Sequence, residues 1–63
     1  MCLSTVYIEA EGQRTKRLED VARMEADNDG YVFTTLFGDD TYIRGQLLGI
    51  DFVEDNAIVL KAS

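Results

Sequence analysis

The chain has 63 residues, with six basic and twelve acidic side chains, no histidine and a single cysteine. So short a chain predicts one domain, residues 1–63, that is marginally stable as a monomer. One cysteine and no histidine exclude an internal disulfide and a four-ligand Cys/His zinc site. The net charge of −6 argues against a nucleic-acid partner, and the missing histidines argue against an enzyme, so we expect no catalytic residue.

The first half of the chain predicts one clear strand and one ambiguous segment. Residues 2–8 are rich in β-branched and aromatic side chains and end in a turn at 9–12. Residues 14–26 have apolar side chains at helical spacing, yet an Asp-Gly pair follows and a hairpin needs a strand before it. We therefore expect at most one helical turn over 18–20, followed by a strand over 21–26.

The second half predicts short strands separated by turns. A strand over 31–37 leads to a turn at 38–40, and Gly45 is expected to interrupt the next strand as a bulge or bend. After residues 46–53 and a turn at 54–56 comes the last strand, 57–60. Five or six short strands with regular turns indicate an all-β fold, a small antiparallel SH3-like β-barrel.

The predicted strands are apolar on both faces. Tyr31, Phe33 and Phe37 share one face of their strand with Thr35, while Val32 and Leu36 share the other with Thr34. A sheet with one solvated face would be polar on that side. We therefore predict a homodimer in which a second copy covers the outer apolar face, the alternative being a monomer with an unusually apolar surface.

Targeting signals are missing from this pattern. No basic stretch is followed by an apolar one at the start of the chain, and no run has the length needed to span a bilayer. We expect a cytoplasmic protein without membrane contact.

Three charged motifs have ordinary readings. Asp27, Asp29 and Gly30 resemble a calcium loop, but the position that needs a bidentate Glu falls on Leu36, which leaves a hairpin turn. The carboxylates at 39–40 and at 51, 54 and 55 lie in or beside turns, where they are expected to be solvated rather than catalytic. The basic residues at 14, 16 and 17 could dock an acidic partner or simply be solvated.

Cys2 is the candidate metal ligand. Removal of the initiator methionine, which is usual before a small residue, would leave Cys2 with a free α-amine and a thiol. Together they can chelate a soft cation, since their pKa values of about 8 and about 8.5 allow deprotonation near neutrality. A twofold dimer would offer two such chelates to one ion, a set that suits nickel(II), with copper(II) as competitor. The alternative is an inert half-buried or exposed thiol.

Four segments together resemble the CooT family of small nickel-binding accessory proteins, named from the carbon monoxide dehydrogenase gene cluster. They are Met1 to Tyr7, Leu18 to Ala22, Thr34 to Gly38 and Arg44 to Val53. The resemblance implies a homodimer of SH3-like barrels that binds nickel through the N-terminal cysteine, which corresponds to Cys2 here. It also implies service as a metallochaperone or nickel store, with nickel-enzyme maturation proteins as partners. The alternative is a protein-interaction module with an incidental cysteine and an exposed groove of Tyr7, Phe33 or Tyr42.

Overall fold

The computed structural model describes residues 3–53 and 56–62, and Met1, Cys2, Glu54, Asp55 and Ser63 lie outside the described residues. This part of the chain contains strands and turns and no helix, which confirms the predicted all-β class. The five strands are β1 Ser4–Ala10, β2 Gln13–Asp27, β3 Gly30–Thr35, β4 Asp40–Asp51 and β5 Ala57–Ala62.

The five strands form a closed ring in chain order. Each strand is antiparallel to the next, as predicted, but β1 and β5 close the ring as a parallel pair. This corrects the expectation of a wholly antiparallel barrel. The reason is geometric: strands that alternate in direction and are odd in number must place two strands of equal direction at the closure.

The ambiguous segment is one long strand, so the expected helical turn over 18–20 is wrong. Residues 13–21 pair with β1, and residues 21–27 pair with β3. The register shifts near Leu18 and again after Val21, which are β-bulges, and Asp20 has a φ of 58°. Bulges strengthen twist and bend a strand. They allow β2 to pair with β1 along its first part and with β3 along its second part.

Two predicted strand ends are displaced. The first strand continues through Glu9 and Ala10, so that its turn contains only Glu11 and Gly12. The strand predicted over 31–37 ends at Thr35, and Leu36 and Phe37 belong to the turn that follows. The turn predicted at 54–56 is described only at Asn56, since Glu54 and Asp55 lie outside the described residues.

Gly45 does not interrupt β4, contrary to the prediction. It is the residue at which β4 changes partners, because Arg44 pairs with β3 while Gly45 pairs with β5. A Cβ added at Gly45 would lie 2.7 Å from the carbonyl oxygen of Lys61. The glycine allows this close approach of two strands, and the bulge of β4 lies further along, between Leu47 and Gly49.

The ring encloses a core of buried apolar side chains from every strand. Phe33 is fully buried in it, so this side chain cannot line the exposed groove that the alternative reading expected. The buried cluster consists of Val6, Val21, Phe33, Ile43, Ile58 and Leu60.

Candidate functional site at the row where strands begin and end

Two short rows of paired residues meet at the adjacent residues Ser4 and Thr5 of β1, and together they form a combined row with members from all five strands. Ser4 pairs with Val21 and Val21 with Thr35, while Ala57 pairs with both Thr5 and Asp51. Strands β1 and β5 begin at this row, and β3 and β4 end there. The first described residue, Leu3, directly precedes it. We call this set of residues the strand-end row.

The strand-end row collects most of the exposed apolar surface of the described residues. Five of the seven large apolar side chains that are exposed lie within two residues of it: Leu36, Phe37, Ile50, Phe52 and Val53. The two others, Tyr42 and Leu48, lie elsewhere on β4. Sequence reasoning predicted exposed apolar residues along the strands. It missed their concentration in the turns.

An open groove of about 310 Å³, which we call the β1 groove, lies beside Ser4 at the start of β1. Its walls come from β1, β2, β4 and β5 together with Phe52, and apart from Ser4 and Arg23 they are apolar. Phe52 is 74% exposed and Val53 91%. Apolar area of this kind is typical of a surface that another molecule covers. The lining residues are Ser4, Val21, Ala22, Arg23, Met24, Ile50, Phe52 and Ile58.

The metal ligand predicted at Cys2 lies outside the described residues. The next residue, Leu3, is among the described residues. Its carbonyl oxygen accepts a 3.5 Å hydrogen bond from Nδ2 of Asn56, the residue before β5. Residues 3–53 and 56–62 contain no group of three or more Cys, Asp or Glu side chains that could hold a metal ion.

The turn after β3 presents Leu36 and Phe37 to solvent, with exposures of 56% and 76%. Four hydrogen bonds hold it. The Leu36 amide donates to the Asp20 carbonyl at 2.8 Å, and the Phe37 amide donates to Oγ1 of Thr35 at 3.3 Å. The Thr35 amide donates to the Asp39 carbonyl at 2.9 Å, and the Gly38 amide donates to the Thr35 carbonyl at 3.0 Å. The two side chains therefore project from a braced backbone.

Three exposed acidic residues lie in or next to this turn. Asp20 lies beside Leu36 through the backbone hydrogen bond, Asp39 lies within the turn, and Asp40 follows it and accepts a 2.8 Å hydrogen bond from Thr34 Oγ1. Within the described ranges, these three carboxylates form no ion pair. They give the exposed apolar pair a negative rim.

The residues that resembled a calcium loop form a hairpin turn, as predicted. Oδ1 of Asp29 accepts a 2.7 Å hydrogen bond from the Tyr42 hydroxyl, and Oδ2 lies 2.7 Å from Nε of Arg44. The Tyr42 hydrogen bond is the main cause that holds the pKa of Asp29 below its ordinary value. Both oxygens of the Asp29 carboxylate therefore already have partners within the chain. The carboxylates predicted as a solvated group at 51, 54 and 55 are described only at Asp51, which accepts a 2.8 Å hydrogen bond from the Val53 amide.

The basic cluster lies exposed along β2, away from the strand-end row. Arg14 lies 3.3 Å from Glu9, and Lys16 lies 2.7 Å from Glu19. The hydrogen bond from Lys16 lowers the pKa of Glu19. Two of the three cations therefore have acidic partners in their own chain, which weakens the reading of this cluster as a docking site.

Comparison with known proteins identifies a family and solved structures of similar fold. The family model described as CO dehydrogenase accessory protein CooT matches residues 1–61. The crystal structure of a protein assigned as CooT, from Carboxydothermus hydrogenoformans, matches with a TM-score of 0.86, covers 98% of each chain and is 21% identical. At that identity the likeness concerns the fold. No curated protein matches the chain. Among the described residues no helix is long and apolar enough to cross a membrane.

Proposed function

The chain belongs to the CooT family of CO dehydrogenase accessory proteins, and on that premise we propose that it carries nickel(II) as a metallochaperone or store. The recipient would be a nickel enzyme under maturation, carbon monoxide dehydrogenase, in the cytoplasm. The protein would be an accessory factor rather than an enzyme. Nickel is its cargo.

The ligand we propose is Cys2, through its thiolate together with its α-amine or nearby backbone nitrogens. Thiolate and nitrogen donors suit nickel(II), and the chain has no histidine to compete for the ion. Successive Cα atoms are about 3.8 Å apart, so a ligand at Cys2 is tethered to Leu3 and hence to the strand-end row. The family match includes Cys2, since it begins at residue 1.

The observation that carries the proposal is the coincidence of two features at one place. Ser4, two residues after the only cysteine of the sequence, lines the apolar groove, and so does the exposed Phe52. A second copy seated on this groove through a twofold axis would bring two chain starts together. Such a homodimer would combine two Cys2 chelates around one ion, and each SH3-like barrel would gain the apolar burial that a small domain needs.

The experiment is a nickel titration of the untagged protein and of Cys2→Ser, followed by a thiolate-to-metal absorption band. Thr15→Ala, at an exposed position of β2 outside the groove, is the control. We expect a band and one nickel ion per two chains in the parent and in the control, and neither in Cys2→Ser. Nickel binding by Cys2→Ser equal to that of the parent would show that the site assignment is wrong.

The alternative function is a protein-interaction module in which the cysteine is incidental. The exposed Leu36 and Phe37 favour it, because apolar side chains held on a braced turn are suited to contact a partner. It differs from the first proposal in one measurable respect, since native mass spectrometry of the untagged protein would then find no bound nickel.

A further inference from the structure

We infer that the turn of Leu36 and Phe37 is the surface through which this protein docks on a partner protein whose apolar recess is lined by Lys and Arg. This inference rests on the proposed function for the identity of the partner, nickel-free carbon monoxide dehydrogenase. It concerns a surface separate from the β1 groove, since neither Leu36 nor Phe37 lines that groove.

The shape of the turn supports docking. Leu36 and Phe37 are adjacent in sequence and both are more than half exposed, although lone exposed apolar residues are common on ordinary surfaces. Four hydrogen bonds already order the backbone that carries them. A contact made by a pre-ordered segment loses little conformational entropy on binding. The pair is therefore prepared to enter a recess on another molecule.

The charge around the turn selects the kind of partner. Asp20, Asp39 and Asp40 give it a rim of three carboxylates, and within residues 3–53 and 56–62 none of them is neutralised by an ion pair. A basic rim on the partner would complement this charge and accelerate association. A second copy meeting the same turn through a twofold axis would oppose six carboxylates, three from each chain, which disfavours self-association here.

The position of the turn fits delivery of a metal ion. Thr35 pairs with Val21, and Val21 pairs with Ser4, so the turn begins two strands away from Ser4, the first residue of β1. Neighbouring strands are about 4.8 Å apart, which places Thr35 and Ser4 about 10 Å from each other. A partner docked on Leu36 and Phe37 would lie close to an ion held at the chain start.

The test measures binding of purified nickel-free carbon monoxide dehydrogenase from the same organism to the immobilised, nickel-loaded protein. The apolar variant is Leu36→Ser with Phe37→Ser, and its matched control is Leu48→Ser, which removes a leucine of similar exposure from β4. We expect the double variant to bind about tenfold more weakly or worse, and the control within about twofold of the parent. Sedimentation and nickel titration verify that each variant retains the assembly and nickel affinity of the parent.

A second pair of variants tests the charge. Asp20→Asn with Asp39→Asn removes two rim carboxylates, and Glu11→Gln with Asp27→Asn removes the same charge from another turn and from the end of β2. Binding should weaken several-fold in the first pair only, and the parent should lose affinity between about 0.05 M and 0.5 M salt as screening increases. Equal loss in both pairs would show that net charge, and not the rim, directs binding.

Three outcomes overturn the inference: no binding by the parent, parental binding by Leu36→Ser with Phe37→Ser, or loss of the dimer in that variant. The last would assign the turn to a second copy of the chain. None of them tests whether Cys2 itself binds the metal. If the protein binds nickel but does not bind the enzyme, only the docking inference fails. If it binds the enzyme but not nickel, the proposed nickel cargo fails and the docking inference stands.

Discussion

The backbone amide of Leu36 donates a 2.8 Å hydrogen bond to the carbonyl of Asp20, and this bond joins the turn after β3 to the bend of β2. Asp20 itself has a φ of 58°, in the left-handed region where most L-residues are disfavoured and Asn and Asp are tolerated. One of the four hydrogen bonds that hold the turn of Leu36 and Phe37 therefore comes from a backbone position in a neighbouring strand.

The effect of replacing Asp20 on stability should therefore depend on whether the new residue tolerates a positive φ. We expect Asp20→Val to lower the free energy of unfolding by about 1–2 kcal/mol, because a β-branched side chain is strained at positive φ. Asp20→Asn removes the same charge and should stay within about 0.5 kcal/mol of the parent. Urea unfolding measures both. Equal losses in the two variants would mean that charge, and not conformation, governs this position.

The two glycines of β4 form a matched pair. Gly45→Ala should lower the free energy of unfolding by about 1–3 kcal/mol, because its Cβ would lie 2.7 Å from the Lys61 carbonyl oxygen and the strands would have to separate. Gly49→Ala meets nothing within 4 Å and should be neutral or raise that energy by about 0.4–1 kcal/mol. Thermal or urea unfolding tests the difference, and a stable Gly45→Ala would contradict the close approach.

The Tyr42–Asp29 hydrogen bond predicts a dependence of stability on pH. It holds the pKa of Asp29 below its ordinary value of 3.8 and raises the pKa of Tyr42 above 10.0. The Asp29 contribution is thus present above pH 3.8 and is lost as the pH falls through the lowered pKa in the folded protein. The Tyr42 contribution is present below pH 10 and is lost as the pH rises through its raised pKa.

The measurement is an NMR titration of the Asp29 carboxyl carbon in the parent and in Tyr42→Phe. We expect the pKa of Asp29 to rise toward 3.8 in the variant, since its largest lowering cause is removed. Tyr31→Phe, which removes a hydroxyl from β3, serves as the control. An Asp29 pKa that is the same in Tyr42→Phe and in the parent would refute the assignment.

Nickel binding through Cys2 should weaken as the pH falls below about 7, because protons compete for the thiolate and the amine. We expect the affinity to decrease at least about tenfold between pH 8 and pH 6, measured by titration with the absorption band as signal. A tag left before Cys2 should also reduce the affinity, since it removes the free α-amine. Affinity unaffected by the tag would exclude the α-amine as a ligand.

Substitutions in the β1 groove should weaken dimer formation. Phe52→Ser removes a large exposed side chain from the groove and should weaken the homodimer at least about tenfold, with a loss of nickel stoichiometry that follows. Leu48→Ser should leave it intact. Sedimentation at micromolar concentration distinguishes them, and a parent protein that sediments as a monomer would remove the shared-ion arrangement.

Much of the fold could be predicted from local sequence patterns. The turn at Asp29 and Gly30 and the last strand lie where turn chemistry and β-branched residues indicated. The helical spacing around Leu18 led to a wrong expectation of a helical turn. It arises because bulges add residues to the strand and shift its apolar side chains out of strict alternation. Such bulges depend on two partner strands at once, which no local pattern records.

The sequence by itself determined the composition of the candidate site: one cysteine, at position 2, with no histidine to compete for a metal and a family match that includes it. Only the tertiary structure decided what surrounds the start of β1. Ring closure by a parallel pair brings the beginnings of β1 and β5 together, and the pairing of Val21 with both Ser4 and Thr35 places the Leu36 turn nearby. Residues far apart in sequence become neighbours there because long-range strand pairing, and not local propensity, sets the register.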